Sequence, residues 1–235
     1  MTVTTLPTNR NAAQKHADIQ ELRQRMHRMQ GTATSQSLPT ASALESLIRL
    51  RTGASYAVDR PSLAMLAMAG PSEAGAWSAV IGVADFGVEA AAELGVVLER
   101  TVLIPDPGDS WLEVAAALTD VLGVVVVRPP RGVTQHQAAR LSARLRQHDA
   151  VLIAVGDWPR AEARLSMQRS AWTGIGQGCG RLTGHRMQVV AELSTGQTRR
   201  ADLWLPSGSI PARSDVARTD VAGSSGPDLV AVDAG

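Results

Sequence analysis

Short runs of Val, Ile and Ala that alternate with helical segments place the strongest constraint on the fold of this chain. The runs SAVIGV (78–83), GVVVV (123–127) and AVLIAV (150–155) are almost wholly apolar, which is typical of strands buried on both faces of a sheet. Segments of helical composition separate them, with Pro61 placed as a first-turn residue and Gly95 as a stop. This order predicts a mainly parallel sheet with helices on both faces, a three-layer α/β core.

After about residue 160 the predicted strands follow one another without helices between them. They are ARLSMQ (163–168), HRMQVVAEL (185–193) and RADLWLP (200–206), and they predict antiparallel hairpins that extend one edge of the sheet. Before the first strand, ASALESLIRL (41–50) is interpreted as a helix. The core is expected to span residues 37–206.

Two extensions flank this core. Residues 1–36 form an N-terminal extension with a predicted amphipathic helix at about 11–30 and a linker rich in Ser and Thr. The helix carries one apolar stripe that cannot be buried by a lone helix, so the stripe is a candidate partner-binding surface. Residues 207–235 are rich in Gly, Ser, Pro and Asp, which predicts a flexible tail. The stripe consists of Ile19, Leu22, Met26 and Met29.

Composition argues for an ordinary globular protein. The 235 residues are 44% hydrophobic and 19% charged, with a net charge of +1, which predicts no large-scale attraction to nucleic acid or to anionic membrane. The single Cys excludes an internal disulfide. With no apolar run near the roughly 20 residues of a membrane span, and no secretory h-region at the N-terminus, a cytoplasmic location is expected.

One stretch imitates a phosphate-binding loop. GPSEAG (70–75) has the outer spacing of the motif G-x-x-x-x-G-K-S/T, but Ala76 and Trp77 follow it. A phosphate loop lies between a strand and a helix N-terminus, whereas this stretch follows an Ala-, Leu- and Met-rich segment and precedes the strand SAVIGV. We therefore interpret GPSEAG as a helix end and a turn.

The remaining motifs predict no catalytic, cofactor or metal site. GIGQGCG (174–180) lies between strands and favours a flexible or bulged connection over a dinucleotide fingerprint. Asp106, Asp109 and Glu113 are interpreted as helix-capping residues, and Cys179 as a passive thiol. The five histidines lack metal-ligand spacing: His16, His27, His136, His148 and His185.

Arginines are densest between residues 128 and 146. A solvated basic face is one interpretation, and a contact with DNA or an acidic partner is the other. Arg140 and Arg144 share a helix face, and Arg128 and Arg131 flank PP at a strand end. These four residues are the candidate contact, and Arg146 belongs to the same dense region.

The order of segments over residues 37–206 resembles the RecA core. In the RecA core, a helix follows the phosphate loop and leads to the next strand, and SLAMLAMAGPSEAGAWSAVIG is similar to that helix and strand. The two β–α units that follow correspond to the part of the RecA core that ends at the Walker B strand, here VVVV. In that register the phosphate-loop position is GASYAVDRPS (53–62), not GPSEAG. The resemblance implies Arg60 at the Lys position, Pro61 where a Thr would meet Mg²⁺, and Arg128 at the Walker B position.

The catalytic Glu of that family would follow SAVIG, where Ala84 and Asp85 are the nearest residues. The two DNA-binding loops correspond to the short stretches RPPRGV and GDWPRAE. Phosphoryl transfer depends on the Lys, hydroxyl and carboxylate groups that these positions lack. The resemblance therefore implies a RecA-like domain that is not an enzyme and has no cofactor.

A RecA-like domain with these changes and extensions resembles the ImuA family, in particular its actinobacterial ImuA-prime branch. DFGVEAAAELGVVLERTVLIPDPGDSWLEV carries most of this likeness. The resemblance implies an accessory protein of a DNA-damage-induced (SOS) mutasome. It would bind ImuB, a Y-family-like polymerase subunit, and act indirectly with an error-prone C-family polymerase in translesion synthesis. Self-association remains open, and DNA contact would be weak or indirect.

Two alternatives stay open from sequence. Related folds include the SulA inhibitors of cell division, so the chain is also similar to an FtsZ-binding module. A divergent RecA-type ATPase or DNA-binding recombinase paralogue would need other residues in place of the lost nucleotide site.

Overall fold

The computed structural model describes residues 35–176 and 179–206. The predicted helix at about 11–30, its apolar stripe and the predicted tail at 207–235 lie outside the described residues, as do His16 and His27. The extension boundaries and the four stripe residues therefore stay predictions.

The described chain builds one eight-stranded sheet in the order β3-β2-β4-β5-β1-β6-β7-β8. Every pair from β3 across to β6 is parallel, and β6, β7 and β8 are antiparallel. The prediction of a mainly parallel, RecA-like sheet extended by C-terminal hairpins is confirmed. The strands are β1 (Ser55–Val58), β2 (Ser78–Ile81), β3 (Thr101–Ile104), β4 (Val124–Val127), β5 (Val151–Val155), β6 (Ala163–Gly176), β7 (Cys179–Leu193) and β8 (Thr198–Pro206).

Helices cover both faces of the parallel part of the sheet. They are α1 (Pro61–Glu73), α2 (Val88–Glu93), α3 (Trp111–Thr119) and α4 (Gln135–Gln147). The helices α1 and α2 pack in one apolar cluster, which also contains Val124 and Val126, and α3 and α4 pack in a second, which contains Val125 and Val127. Because neighbouring residues of β4 face opposite clusters, its continuous Val run fills both layers.

The predicted helix at 41–50 is wrong. Only Ser42–Leu44 is helical, as a 3₁₀ turn, because the two ends of the segment are tied together. The Leu38 amide donates to the Leu50 carbonyl oxygen at 2.9 Å, and the Leu50 amide donates to Thr40 Oγ1 at 3.1 Å. A ten-residue α-helix would hold its ends about 15 Å apart. The segment is a closed loop whose leucines are buried against α1 instead.

The interpretation of GPSEAG as a helix end and a turn is confirmed. Helix α1 runs through Gly70 to Glu73, and the chain then turns into β2. A Cβ at position 70 would lie 2.8 Å from the Pro39 carbonyl oxygen and 2.8 Å from the Ala41 amide nitrogen. Glycine is thus required there because α1 approaches the backbone of the preceding segment closely.

The described residues of GIGQGCG, 174–176 and 179–180, lie at the end of β6 and the start of β7. Ile175 pairs with Gly180 and Gly176 with Cys179, and the register shifts between Thr173 and Ile175. The predicted bulged connection is confirmed in this respect, although the strands reach further than the sequence pattern indicated.

Candidate functional site

The carboxyl ends of the parallel strands form the edge where α/β proteins most often bind ligands. Strand β1 ends at Val58 and α1 begins at Pro61, so only Asp59 and Arg60 connect them. Arg60 is the N-cap residue of α1, and its side chain makes no capping hydrogen bond. A two-residue connection is too short to wrap around a phosphate, and Pro61 offers it no N–H.

An ion pair joins the ends of β2 and β4. The guanidinium of Arg128 donates from both terminal nitrogens to the two carboxylate oxygens of Asp85. These hydrogen bonds lower the pKa of Asp85 below its ordinary value. Gly82, with φ +71°, lets the chain after β2 pass against the Arg128 backbone, where a Cβ would meet the Arg128 carbonyl oxygen. The turn therefore brings Asp85 to Arg128.

Carboxylates at the ends of β1 and β5 also have partners. The carboxylate of Asp59 accepts a hydrogen bond from the Met167 amide at 2.9 Å and lies 3.9 Å from Arg60 Nε. Asp157, two residues after β5, pairs with Arg164 of β6 and accepts its hydrogen bond at 2.6 Å. Each of these carboxylates is thus engaged by a neighbouring donor, and both donors come from the first hairpin strand.

This edge presents charges of both signs that are bonded to one another. A nucleotide phosphate would have to break the Arg128–Asp85 pair and then lie beside the Asp85 carboxylate, which repels it. The pair is largely exposed, with 61% of the Asp85 side chain accessible, so its own contribution to stability is about 1 kcal/mol or less. Its consequence is electrostatic, because it cancels the arginine's attraction for anions.

The acidic residues after β3 follow the capping interpretation only in part. Asp106 Oδ1 accepts a hydrogen bond from the Gly108 amide at 3.1 Å, which closes a local turn. Glu113 lies in the first turn of α3, where a negative charge is favourable. Asp109 instead lies 4.0 Å from Arg131 in a pair that is almost fully exposed. Ser110 is the N-cap residue, without a side-chain hydrogen bond.

The four candidate arginines divide between two edges of the sheet. Arg128 and Arg131 lie at the carboxyl end of β4, each within 4.0 Å of an aspartate. Arg144, near the end of α4, pairs at 2.9 Å with Asp120, which precedes β4 at its opposite end. Arg140 lies one turn before Arg144. A shared contact of all four with DNA or an acidic partner stays a prediction.

Histidines and other ligating residues form no metal-binding group within 35–176 and 179–206. His148 lies 3.3 Å from Asp120 and belongs to the same contact as Arg144. His185 stacks on Trp172 with ring centroids 3.9 Å apart and hydrogen-bonds to Ser170 at 2.6 Å; burial lowers its pKa. In the same part of the chain, no helix has the length and apolar character needed to cross a membrane.

Sequence reasoning named Asp85 and Arg128 separately but did not pair them. It also passed over outward-facing arginines on the hairpins and the exposed Trp204. The period-2 pattern of RADLWLP could have indicated them, because Arg200, Asp202 and Trp204 alternate with residues that face the core.

Comparison with known proteins places the chain in a family. The sequence profile of the MT3502 N-terminal domain matches residues 43–160, just over half of the chain. The chain belongs to the MT3502 N-terminal domain family. The uncharacterized protein Rv3395c of Mycobacterium tuberculosis (strain ATCC 25618 / H37Rv) is 36% identical over 137 residues, which cover 54% of this chain and 67% of that protein. The family match contains the Arg128–Asp85 pair, and it stops before β6, which supplies the Arg164 partner of Asp157.

Proposed function

We propose that this protein is a non-catalytic adaptor of a damage-induced translesion-synthesis mutasome, corresponding to actinobacterial ImuA-prime. It would bind an ImuB-like, Y-family polymerase subunit in the cytoplasm. The observation that carries the proposal is the Arg128–Asp85 ion pair at the strand ends of a RecA-like sheet, beside a β1–α1 connection of two residues. Membership of the MT3502 N-terminal domain family and the mycobacterial relative are consistent with the actinobacterial branch.

The ion pair supports an adaptor over an ATPase on electrostatic grounds. Phosphoryl transfer needs a cation beside the β- and γ-phosphates and a carboxylate that holds Mg²⁺. Here the cation and the carboxylate neutralise one another directly. A RecA-like core without a nucleotide cycle still offers helices and sheet edges to partner proteins.

A binding experiment tests the adaptor role. The full chain is expected to retain an ImuB-like protein in a pull-down, and removal of residues 1–31 is expected to abolish retention, because the stripe Ile19/Leu22/Met26/Met29 would supply the contact. Two substitutions give a matched comparison of retention in the pull-down. Leu22→Glu places a charge on the stripe, whereas Gln24→Glu places the same charge about 200° around a helix from position 22. Equal retention by both variants would remove the stripe from the proposal.

A second experiment separates the alternatives. Phosphate release from ATP in the presence of DNA is expected to stay at background. Turnover that Arg60→Ala abolishes would replace the adaptor with an ATPase. Filamentation of cells on overexpression, with unchanged damage-induced mutagenesis in a deletion strain, would favour a SulA-like inhibitor instead.

A further inference from the structure

The outward face of the C-terminal hairpins combines arginines with an exposed tryptophan. Residues of β6, β7 and β8 alternate between two sides, and Met187, Val189 and Leu203 fill the core on one of them. The opposite side carries Arg169, Arg186, Arg200 and Trp204, which we call the hairpin face.

The register brings the members of the hairpin face close together. Arg186 lies directly opposite Trp204 across β7 and β8, and Arg169, opposite Gln188, is its diagonal neighbour. Directly opposed residues have Cβ atoms about 5 Å apart and diagonal neighbours about 7–8 Å apart. Arg200 lies four residues before Trp204 on the same strand, about 13 Å away.

The arginines of the hairpin face are not neutralised by ion pairs within the described part of the chain. Arg169, Arg186 and Arg200 make no ion pair there, unlike Arg164, which is neutralised by Asp157. Asp202 also lies on the hairpin face, and its carboxylate accepts a hydrogen bond from Gln188 Nε2 at 3.3 Å. Glu192, opposite Arg164, is a second exposed carboxylate on this side. Among the described residues, three guanidinium groups without an ion pair therefore stand against two carboxylates.

Trp204 is held in a defined position while half of it stays accessible. A Cβ on Gly184 would overlap the Trp204 indole, so the absence of a side chain at 184 lets the ring rest against the strand backbone. Trp204 is nevertheless 51% exposed. A restrained aromatic ring with open surface, with a guanidinium group directly across the strand pair, is the combination on which unpaired bases stack.

We propose that the hairpin face binds single-stranded nucleic acid, with Trp204 stacking on a base and the arginines contacting phosphates. A protein partner is less suited, because an interface needs an apolar core, and Trp204 is the only large apolar side chain exposed on this face among the described residues. A duplex hides its base faces and gives Trp204 nothing to stack on. The proposal uses β6–β8, outside the family match, and does not rest on the adaptor role.

Fluorescence anisotropy of a labelled 15-nucleotide oligo-dT tests the stacking contact. Trp204→Leu is expected to weaken binding by about 5- to 150-fold, the range for loss of one stacked base. Trp77→Leu is the matched control, because Trp77 is also 51% exposed but precedes β2; it is expected to leave the Kd unchanged. Oligo-U in a parallel titration shows whether the sugar matters.

Salt titration tests the arginines. Arg186→Gln is expected to reduce the slope of log K against log salt by about 0.7, the contribution of one phosphate contact to a single strand. Arg49→Gln makes the same charge change in the closed loop 41–50, where Arg49 is exposed and makes no ion pair with the described residues, and it is expected to keep the slope. The proposal is overturned if no binding is detectable at 50 mM salt, or if a 15-base-pair duplex binds as tightly as the single strand. It is also overturned if Trp204→Leu and Arg186→Gln bind like wild type, or if Arg49→Gln changes the slope and Arg186→Gln does not.

Discussion

Replacement of Gly70 by Ala tests why a glycine lies inside the last turn of the helix α1. Ala is favoured over Gly in a helix by about 1 kcal/mol, so propensity alone predicts stabilisation. The added Cβ, however, would lie 2.8–2.9 Å from three backbone atoms of Pro39, Thr40 and Ala41. Overpacking of this kind costs about 1–3 kcal/mol, and backbone atoms cannot rotate aside, so the upper end applies. The net loss is about 2 kcal/mol, which lowers Tm by about 4–8 °C in a domain of this size.

Thermal unfolding followed by circular dichroism measures this difference. Gly132→Ala is the control, because position 132 has no heavy atom within 4 Å of an added Cβ and an ordinary φ; its Tm is expected to stay equal or rise slightly. A Gly70→Ala protein that melts at or above the wild-type temperature would refute the reasoning. It would mean that helix propensity outweighs the contact and that glycine at this position has another cause.

Two further substitutions address single contacts. Tyr56→Phe removes a 2.8 Å hydrogen bond from the buried hydroxyl to the Arg49 carbonyl oxygen, which is expected to cost about 1 kcal/mol in urea unfolding. Burial raises the pKa of Tyr56 above its ordinary value of about 10. As the pH rises, the Tyr56 hydroxyl therefore loses its proton in the unfolded chain before it does so in the folded protein. The stability of the wild type is expected to fall above about pH 10 more steeply than that of Tyr56→Phe. Arg128→Gln is expected to return the lowered pKa of Asp85 towards its ordinary value of about 3.9, as measured by NMR titration. The change in unfolding free energy at neutral pH is expected to be below about 1 kcal/mol. An unchanged Asp85 pKa would contradict the ion pair.

Sequence patterns predicted the elements whose residues are determined by burial in the sheet or by local backbone geometry. Val124–Val127 faces both apolar clusters and therefore shows as an unbroken Val run, and Pro61 and Gly95 mark helix ends because their backbones suit those positions. The segment 41–50 failed for the opposite reason. Its two closing hydrogen bonds join residues twelve apart (Leu38 and Leu50) and ten apart (Thr40 and Leu50), and local propensity does not report such contacts.

The sequence named Arg128 and Asp85 separately and did not predict their pairing. Arg128 was placed at the Walker B position, and Asp85 was named with Ala84 as the nearest residue to the expected catalytic Glu. Their pairing depends on β2 and β4 being neighbours in the sheet. Sequence order separates them by two helices and β3, so only the topology brings them together. The hairpin face was missed similarly, because Arg186 and Trp204 meet only through the β7–β8 register.

The charges at the carboxyl ends of the parallel strands depend on one another, which is a reason to regard them as one surface. Arg128 without Asp85 would attract anions to the strand ends, and Asp85 without Arg128 would leave a carboxylate that could attract a cation. Together they neutralise the edge, and Asp157 with Arg164 does the same beside β5. The hairpin face carries three guanidinium groups without an ion pair in the described part of the chain, and it lies on the other side of β1 from β2 and β4. If the hairpin face binds nucleic acid as proposed, the surface that attracts phosphate is the outward side of the antiparallel extension, and the strand ends of the parallel sheet do not attract it.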